Sequence, residues 1–424
     1  MGPIPRSRAG LVVVTTLLTI VFAWFVVRTA VRWRNLRALD RMVEAHDIAG
    51  AVDFTVKHFG SDTTDERRAL MRLATLILHQ GLDDRDPYER CFAATSLVRY
   101  GDWTGRPVIN SSMSAKDVFL QKAAIEGLAD SRDTRALDLL REVYDGGGRS
   151  VRVWTAEALA ETDDHRVLPL LLSASTSSDE GVRLWGIWGL GRLHDPHVVG
   201  YLRSMATRET NPLISAAIAD SLLKLGDRTL GAIELLEVTF YDPNPDRASN
   251  AALELGDAQD SFAVPQLRSA LNNTALDLTV RLAAAAALTH YGNRDGLKLM
   301  GTVSKDPYLN GKLAPLLLYL NFHLSRSLLI SAMASENVVL QLAATEAIGR
   351  LGGKSEIGIL TAALDRTPDA FMTAQIAWSL GRIGGPETVR PLLSLLKSPN
   401  ATVRYSAADA LARTASRLLA GVDG

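Results

Sequence analysis

Apolar and polar residues follow one recurring thirteen-residue pattern along most of the chain. The fullest copy is VRLWGIWGLGRLH, residues 182–194. Three others open with the same Val-Arg pair, at Val151, Val280 and Val403. The last apolar residue of the pattern recurs at intervals near 31 residues, for example 32 from Leu193 to Leu225. A period of this length, built from helix-sized units, predicts a solenoid of helix pairs.

The order of residues within each copy predicts an amphipathic helix. Counted from the first residue, repeat positions 1, 5, 8, 9 and 12 are apolar, which is the spacing of a buried helix stripe. Repeat positions 5, 8 and 10 are mostly alanine or glycine. Small residues there predict that helices of adjacent repeats approach closely.

The ends of the predicted helices carry their own signals. A glycine, often followed by aspartate as in Gly226-Asp227, is expected to end the long helix in a left-handed conformation. A shorter second helix follows, and a proline is expected in its first turn at Pro169, Pro265 and Pro391. The predicted caps of the next long helix are Asp179, Asp277 and Asn400, and Thr64 is the predicted cap of the first one. One unit, beginning at Leu309, has diverged and contains Pro315.

This pattern resembles that of the HEAT-repeat superfamily, and within it the short PBS-lyase-like variety, whose copies read approximately VRxxAAxALGxLGDxxAVPxLxxLL. The resemblance covers most of residues 64–424. It implies an all-α fold, a right-handed α-solenoid of about ten or eleven tandem helix pairs. It implies little about function, because the same repeats occur in bilin lyases, an iron hydroxylase, scaffolds and regulatory subunits.

The N-terminal region predicts a membrane anchor. After a short tail, residues 1–8, the stretch 9–27 has no charged residue and would cover roughly 28 Å as a helix, close to a hydrocarbon core of about 30 Å. Five arginines follow within fourteen residues, which favours a single-pass inner-membrane protein with a cytoplasmic solenoid. The alternatives are an exported solenoid and a cleaved signal peptide. Residues 28–63 are expected to form a helical pair that couples the anchor to the solenoid.

Composition narrows the classes of function. Hydrophobic residues make up 47% of the 424 residues, charged residues 22%, and the net charge is −1. This composition is that of a folded chain, and the absence of a basic excess argues against nucleic acid as a partner. Cys91 is the single cysteine, so neither an intrachain disulfide nor a cysteine-based zinc site can form.

The sequence contains no convincing catalytic constellation. HEAT-repeat hydroxylases bind iron through His-Glu dipeptides, and this chain has none. His194 and His197 are three residues apart, but no third ligand lies near them, and Cys91 at repeat position 3 is expected to be a packing residue. We therefore expect no catalytic, cofactor or metal site and no small-molecule substrate.

Charges recur at two repeat positions. Position 7 is usually acidic and position 11 is often basic. Acid and base are four residues apart, which predicts helix-stabilising ion pairs. The predicted pairs are Asp220–Lys224, Glu346–Arg350 and Asp409–Arg413. The simplest interpretation is a solvated outer face.

Two tryptophans break this rule. Trp188 and Trp378 stand at position 7, and each precedes an arginine at position 11, Arg192 or Arg382. Tryptophan beside arginine is typical of a protein interface, and the equal alternative is that the rings fill gaps between helices. These four residues are the candidate partner-binding site. Trp154 and Trp185, both at position 4, are expected to serve packing.

Together these features predict a membrane-anchored, non-catalytic scaffold or adaptor. It would bind a partner protein of unknown identity through its repeat surface and help assemble or regulate a membrane-associated complex. The alternative is a lyase-like protein that handles a chromophore or another modification on a partner.

Overall fold

The computed structural model describes residue 27 and residues 29–31, 33–45, 47–58, 63–162, 164–227, 238, 242–257, 263–366 and 369–421. All regular elements within these residues are helices, so the all-α prediction is confirmed. Helix α1 spans residues 33–44. The helices of the first half are α2 Ile48–His58, α3 Thr64–Gly81, α4 Pro87–Arg99, α5 Arg106–Met113, α6 Val118–Ser131, α7 Thr134–Gly146, α8 Arg149–Ala160, α9 Leu168–Ser175, α10 Glu180–Arg192, α11 Val199–Ala206 and α12 Pro212–Lys224.

The second half continues the same alternation of long and short helices. These helices are α13 Pro245–Asp257, α14 Val264–Asn272, α15 Leu278–His290, α16 Leu297–Val303, α17 Phe322–Met333, α18 Val338–Leu351, α19 Ile357–Leu364, α20 Ala370–Ile383, α21 Pro386–Leu395 and α22 Ala401–Ala420. The diverged unit with Pro315 forms a 3₁₀ helix, Asn310–Tyr319, in place of a long α-helix. Pro315 has no N–H to donate, which disfavours a regular α-helix there.

The helices form two layers. Each helix that carries the thirteen-residue pattern packs against the patterned helix of the next repeat, whereas the shorter helices pack mainly on the long helices beside them. The patterned helices therefore form the tighter, inner layer of a curved array. Within the described residues this layer has eleven elements, namely α4, α6, α8, α10, α12, α13, α15, the 3₁₀ helix, α18, α20 and α22.

Small residues set the spacing of the inner layer, as predicted. At repeat position 10, a Cβ added to Gly191 would lie 2.7 Å from the Cα of Ser221, and one added to Gly381 would lie 2.6 Å from the Cα of Ala410. A serine at position 8 also links neighbours, since the hydroxyl of Ser221 donates to the carbonyl of Ile187 at 2.9 Å. The Ser379 hydroxyl makes the equivalent bond to Thr345, also at 2.9 Å.

The array closes on itself through its two ends. Helix α3, near the N-terminus, packs along α22, the C-terminal helix. Arg67 at the start of α3 donates to the carbonyl of Leu418, and Gly81 at its end lies against Tyr405, so the two helices are antiparallel. Helix α3 therefore takes the place of the outer helix of the last repeat, although it comes before the first.

The inner layer is continuous across this junction. The Arg99 guanidinium of α4 lies 2.5 Å from the Asp409 carboxylate of α22, and the Tyr100 hydroxyl donates to the Asp409 carbonyl at 3.0 Å. The Tyr405 hydroxyl donates to Asp84 at 2.8 Å, just before α4. These polar contacts join α22 and α4 as neighbouring inner helices, so the contacts of the inner layer form a closed ring.

Apolar burial is the main source of closure stability. The buried faces of α3 and α22 belong to one hydrophobic cluster, in which Leu70, Leu73, Leu411 and Leu418 are each at most 1% exposed. A fully buried leucine side chain contributes roughly 1.5–3 kcal/mol. Upstream, Arg72 contacts Asp40 at 2.5 Å and Lys397 pairs with Asp53, so α1 and α2 also lie against this closing region.

The predicted helix ends are mostly confirmed. Asp179, Asp277 and Asn400 are N-caps whose side chains accept backbone N–H bonds. Two details differ. The cap of α3 is Thr63 and not Thr64, because Glu66 completes a capping box with Thr63. Pro391 lies inside α21 and not in its first turn, because that helix already begins at Pro386.

The predicted single-pass membrane localisation is wrong for the part of the chain that the structure describes. None of them is long and apolar enough to cross a bilayer. The longest, α22, contains Arg404, Asp409, Arg413 and Arg417. The stretch 9–27 assigned to the anchor lies outside the described residues except for Val27.

Separating α3 from α22 should open the ring. We expect Leu73→Asp to place a charge in the buried closing cluster, to lower the melting temperature and to increase the radius of gyration measured by small-angle X-ray scattering. Leu171→Asp, in α9 away from the junction, is the control. It should lower the melting temperature with a smaller change in radius. Equal radii for the two variants would contradict closure through α3.

Candidate functional site

The ring encloses a cavity of about 1040 Å³. Its walls come from the inner helices on both sides of the junction, from α4, α6 and α8 on one side and from α20 and α22 on the other, together with Arg192 and Arg350 at the ends of α10 and α18. The cavity therefore depends on closure, because residues near the start and the end of the chain line it together.

Repeat positions 7 and 11 point into this cavity around the junction. Lining residues at these positions include Glu126, Glu157, Arg192, Trp378 and Arg413. The predicted solvated outer face is thus wrong for this part of the array. The helical pattern distinguishes a packed stripe from a polar stripe, but it does not say whether the polar stripe is on the concave or the convex side.

The three predicted ion pairs are confirmed. Lys224 lies 3.0 Å from Asp220, Arg350 lies 2.8 Å from Glu346, and Arg413 lies 3.5 Å from Asp409. They differ in environment, because the side chains of Asp220 and Asp409 are 2% and 4% exposed whereas that of Glu346 is 31% exposed.

Four arginines form a row along one wall. They occupy repeat position 11 of α18, α20, α22 and α4, which are successive inner helices once the ring is closed. These residues are Arg350, Arg382, Arg413 and Arg99. Arg99 and Arg413 share two carboxylates, Asp409 and Asp130, and the contact of Arg413 with Asp130 measures 3.2 Å. Burial alone would raise the pKa of Asp130, but the charges of Arg99 and Arg413 outweigh it and lower that pKa.

Arg382 differs from the other three arginines of this row, because it stacks on an aromatic ring and they contact carboxylates. Its guanidinium lies over the ring of Trp378, 5.5 Å from the centroid, and the Arg350 guanidinium lies 5.7 Å from the same ring. Burial lowers the pKa of Arg382, and the nearby charges of Arg413 and Arg350 lower it further, against the opposing effect of Asp130. Asp130 is already paired with Arg99 and Arg413, so a further anion in the cavity would relieve the remaining repulsion among the arginines.

The opposite wall is acidic. Glu126 and Glu157 of α6 and α8 line the cavity with Glu161 at the end of α8, and Lys122 contacts both Glu126 at 3.5 Å and Glu157 at 3.4 Å. Burial raises the pKa of Glu126, and the charges of Glu157 and Glu161 add to that rise against the effect of Lys122. The cavity thus has a cationic wall and an anionic wall.

The mouth of the cavity is aromatic. Phe371 and Tyr88 line it from the first turns of α20 and α4, and they are 72% and 39% exposed. Phe119, in the first turn of α6, is 72% exposed. At the N-terminal ends of the inner helices, the cavity is therefore bordered by exposed apolar side chains of the type that is enriched in protein interfaces.

The four predicted partner-binding residues fall into two groups. Trp378 and Arg382 lie together on the cavity wall. Arg192 also lines the cavity and is exposed, whereas Trp188 is half-buried in an edge-to-face contact with Trp185, 5.1 Å between ring centroids. Sequence reasoning missed Arg350, Arg413 and the acidic wall as parts of the same site, although positions 7 and 11 were visible as charged.

A second charged cluster continues around the ring at α12 and α13. Lys224 lies between Asp220 and Glu254, 3.0 Å and 2.8 Å away. Burial and the neighbouring Glu254 raise the pKa of Asp220 well above its ordinary value. Burial would also raise the pKa of Glu254, but the Lys224 charge outweighs it and lowers that pKa. The environment therefore favours the protonated form of Asp220 and the ionised form of Glu254 beside Lys224.

The described part of the chain has few side chains in the arrangements that known catalytic mechanisms use. No cluster of three or more His, Cys, Asp or Glu side chains there could hold a metal ion. His197 is an exposed surface residue that contacts Asp195 at 2.8 Å. Cys91 is 1% exposed, and burial raises the pKa of its thiol, which disfavours the nucleophilic thiolate. The charged walls are suited to recognition through ion pairs and stacking.

Removing Asp409 should be far more costly than removing an equivalent acid outside the junction. Asp409→Ala leaves the buried Arg99 with Asp130 as its remaining carboxylate, and we expect a loss of roughly 3 kcal/mol of unfolding free energy. Glu346→Ala, at the same repeat position, should cost about 0.2–0.5 kcal/mol. Urea titration of both variants measures the difference, and equal losses would contradict a special role for the junction.

Neutralising Asp220 should reduce the pH dependence of stability. Because its folded pKa is raised, the protonated group supports folding at low pH, and that support is lost as pH rises through the folded pKa. We expect the melting temperature of Asp220→Asn to fall less than that of the wild type as pH is raised. Glu254→Gln removes the anion that pairs with Lys224 and should destabilise the protein at neutral pH. A steeper fall for Asp220→Asn would contradict this assignment.

Solved structures similar to this chain include two remote likenesses. A structure of human deoxyhypusine hydroxylase in complex with glycerol is 22% identical, over 59% of this chain and 97% of that chain, with a TM-score of 0.29. A crystal structure of Kap121p is 16% identical, over 86% of this chain and 48% of that chain, with a TM-score of 0.32. At these values neither structure informs the activity or partners of this chain. No curated protein sequence matches it.

A family model described as HEAT repeats matches three stretches, residues 75–152, 146–223 and 326–412. These stretches contain the lining residues of the cavity except Arg413, and most of the inner helices. The match is to HEAT repeats in general, and it does not support the narrower PBS-lyase-like assignment. Because the matched stretches make up more than half of the 424 residues, the chain belongs to the HEAT-repeat family.

Proposed function

We propose that this protein is a non-catalytic scaffold or adaptor that binds another protein on the inner face of its closed ring. HEAT repeats are suggestive of a protein-interaction solenoid. The observation that carries the proposal is Trp378, half-buried between Arg350 and Arg382 on the wall of an open cavity. Tryptophan and arginine are the residues most enriched in binding hot spots.

Three further features support a protein as the partner. The aromatic residues at the mouth, Phe371, Tyr88 and Phe119, supply apolar contact area next to the charged walls. Arg192 extends the polar surface on the far side of the acidic wall. The mixed charge of the walls argues against a polyanion such as nucleic acid, because the acidic wall would repel it. No observation favours the lyase-like alternative.

Site-specific photo-cross-linking tests the proposal in a native extract. A photo-reactive amino acid in place of Ser406, which lines the cavity, should give a discrete protein adduct. The same amino acid in place of Arg390, an exposed residue of the outer helix α21, should not. Trp378→Ala combined with the Ser406 probe should reduce the adduct about tenfold, whereas Trp188→Ala should have a smaller effect because that ring packs on Trp185.

Two results would overturn the proposal. One is adduct formation at Arg390 and not at Ser406, which would put the interface on the outer layer. The other is an adduct at Ser406 that survives Trp378→Ala unchanged, which would exclude the tryptophan as an anchor. Circular dichroism of each variant separates these results from misfolding.

A further inference from the structure

The two walls of the cavity carry opposite net charge. On the side formed by α18, α20, α22 and α4, the cavity is lined by the four arginines of the row and by three carboxylates, Asp86, Glu89 and Asp409. Glu346, which pairs with Arg350, and Arg417, which donates to backbone carbonyls at the end of α20, add one charge of each sign. Five guanidinium groups against four carboxylates leave this wall with an excess of one positive charge.

The acidic wall has the opposite imbalance. Four carboxylates, Glu126, Asp130, Glu157 and Glu161, line the cavity on this side. They stand against three cations, of which Arg132 and Arg192 also line the cavity and Lys122 contacts both Glu126 and Glu157. Asp130 lies between the two walls on α6, where it is already paired with Arg99 and Arg413. A ligand that follows the inner face from α20 to α8 therefore passes from an anion-binding surface to a cation-binding surface.

The separation of the walls sets the length of such a ligand. From α20 to α8 the inner layer passes α22, α4 and α6, which is four interhelical steps of 8–10 Å, or roughly 35 Å. An extended polypeptide advances 3.3–3.6 Å per residue, and the path on the concave side is shorter than the path along the helix axes, so about ten residues are the most that it requires. A small anion would reach only one of the two walls.

We propose that the cavity binds an extended, bipolar segment of the partner polypeptide, with a carboxylate at Arg382 and a basic side chain up to about ten residues away at Glu161. This inference rests on the proposed protein-binding function and specifies the chemistry of the partner. The carboxylate would make a direct ion pair with Arg382, whose nearest described anion, Asp130, already contacts Arg99 and Arg413. The basic side chain would offset the carboxylates of α6 and α8.

Synthetic peptides provide defined probes for this specificity. One peptide of about ten residues carries two glutamates near one end and two lysines near the other, and its controls carry only glutamates or only lysines as charged residues. Fluorescence anisotropy with the full-length protein should show the bipolar peptide binding about tenfold more tightly than either control, and binding should weaken with added salt.

Charge reversal on each wall identifies the contacts. Arg382→Glu and Glu161→Lys should each weaken binding of the bipolar peptide about tenfold, whereas Arg390→Glu on the outer layer should leave it unchanged. If Arg382→Glu fails to fold, the milder Arg382→Gln should still weaken binding about threefold. A short single-stranded oligonucleotide and inorganic phosphate test whether the site accepts any anion.

The outcomes separate this inference from the proposed function. Equal or tighter binding of the all-glutamate peptide, the oligonucleotide or phosphate would overturn the bipolar specificity. The same conclusion follows if Arg382→Glu matters and Glu161→Lys does not. If no peptide binds while the adduct at Ser406 still forms, the inference is wrong and the protein-binding function stands. Loss of both would overturn the function as well.

Discussion

The packing of α3 against α22 is the contact on which the rest of the structure depends. A solenoid of helix pairs normally needs a polar capping face on each terminal repeat, because that repeat would otherwise expose an apolar side. Here the exposed side of the last inner helix is covered by a helix from the other end of the chain, so Leu70 and Leu73 are buried together with Leu411 and Leu418. The two ends of the array bury each other's apolar surfaces, and this requires residues far apart in sequence to come into contact.

Closure also decides which charges become neighbours. Arg99 is separated from Asp409 by 310 positions along the chain, yet the two side chains form a buried ion pair. Such a pair is tolerated in a buried setting only when further partners satisfy both groups. Tyr100 and Asp130 provide those partners, and the charges of Asp409 and Asp130 raise the pKa of Arg99 against the effect of burial. The junction between α22 and α4 therefore combines apolar packing with a specific network of ion pairs and hydrogen bonds.

The placement of charge on the concave side bears on function. On a convex surface, the charged positions 7 and 11 would be spread apart and screened by solvent. On the concave side of a closed ring they face one another across a cavity, where each carboxylate or guanidinium acts on several others. The lowered pKa of Arg382 and the raised pKa of Glu126 both reflect this crowding, after the effect of burial. A protein segment with complementary charges is the type of ligand that such walls favour.

The sequence by itself determined the repeat, its helical stripe, the caps at Asp179, Asp277 and Asn400, and the close approach at small residues, because each depends on contacts within one repeat or with the next. It also marked Trp378 and Arg382 as departures from the repeat. It did not reveal closure, because a periodic pattern is the same in an open array and a ring. Only the tertiary structure brought α22 beside α3 and α4, and with them the two charged walls, since curvature accumulates over all repeats and is encoded in no single one of them.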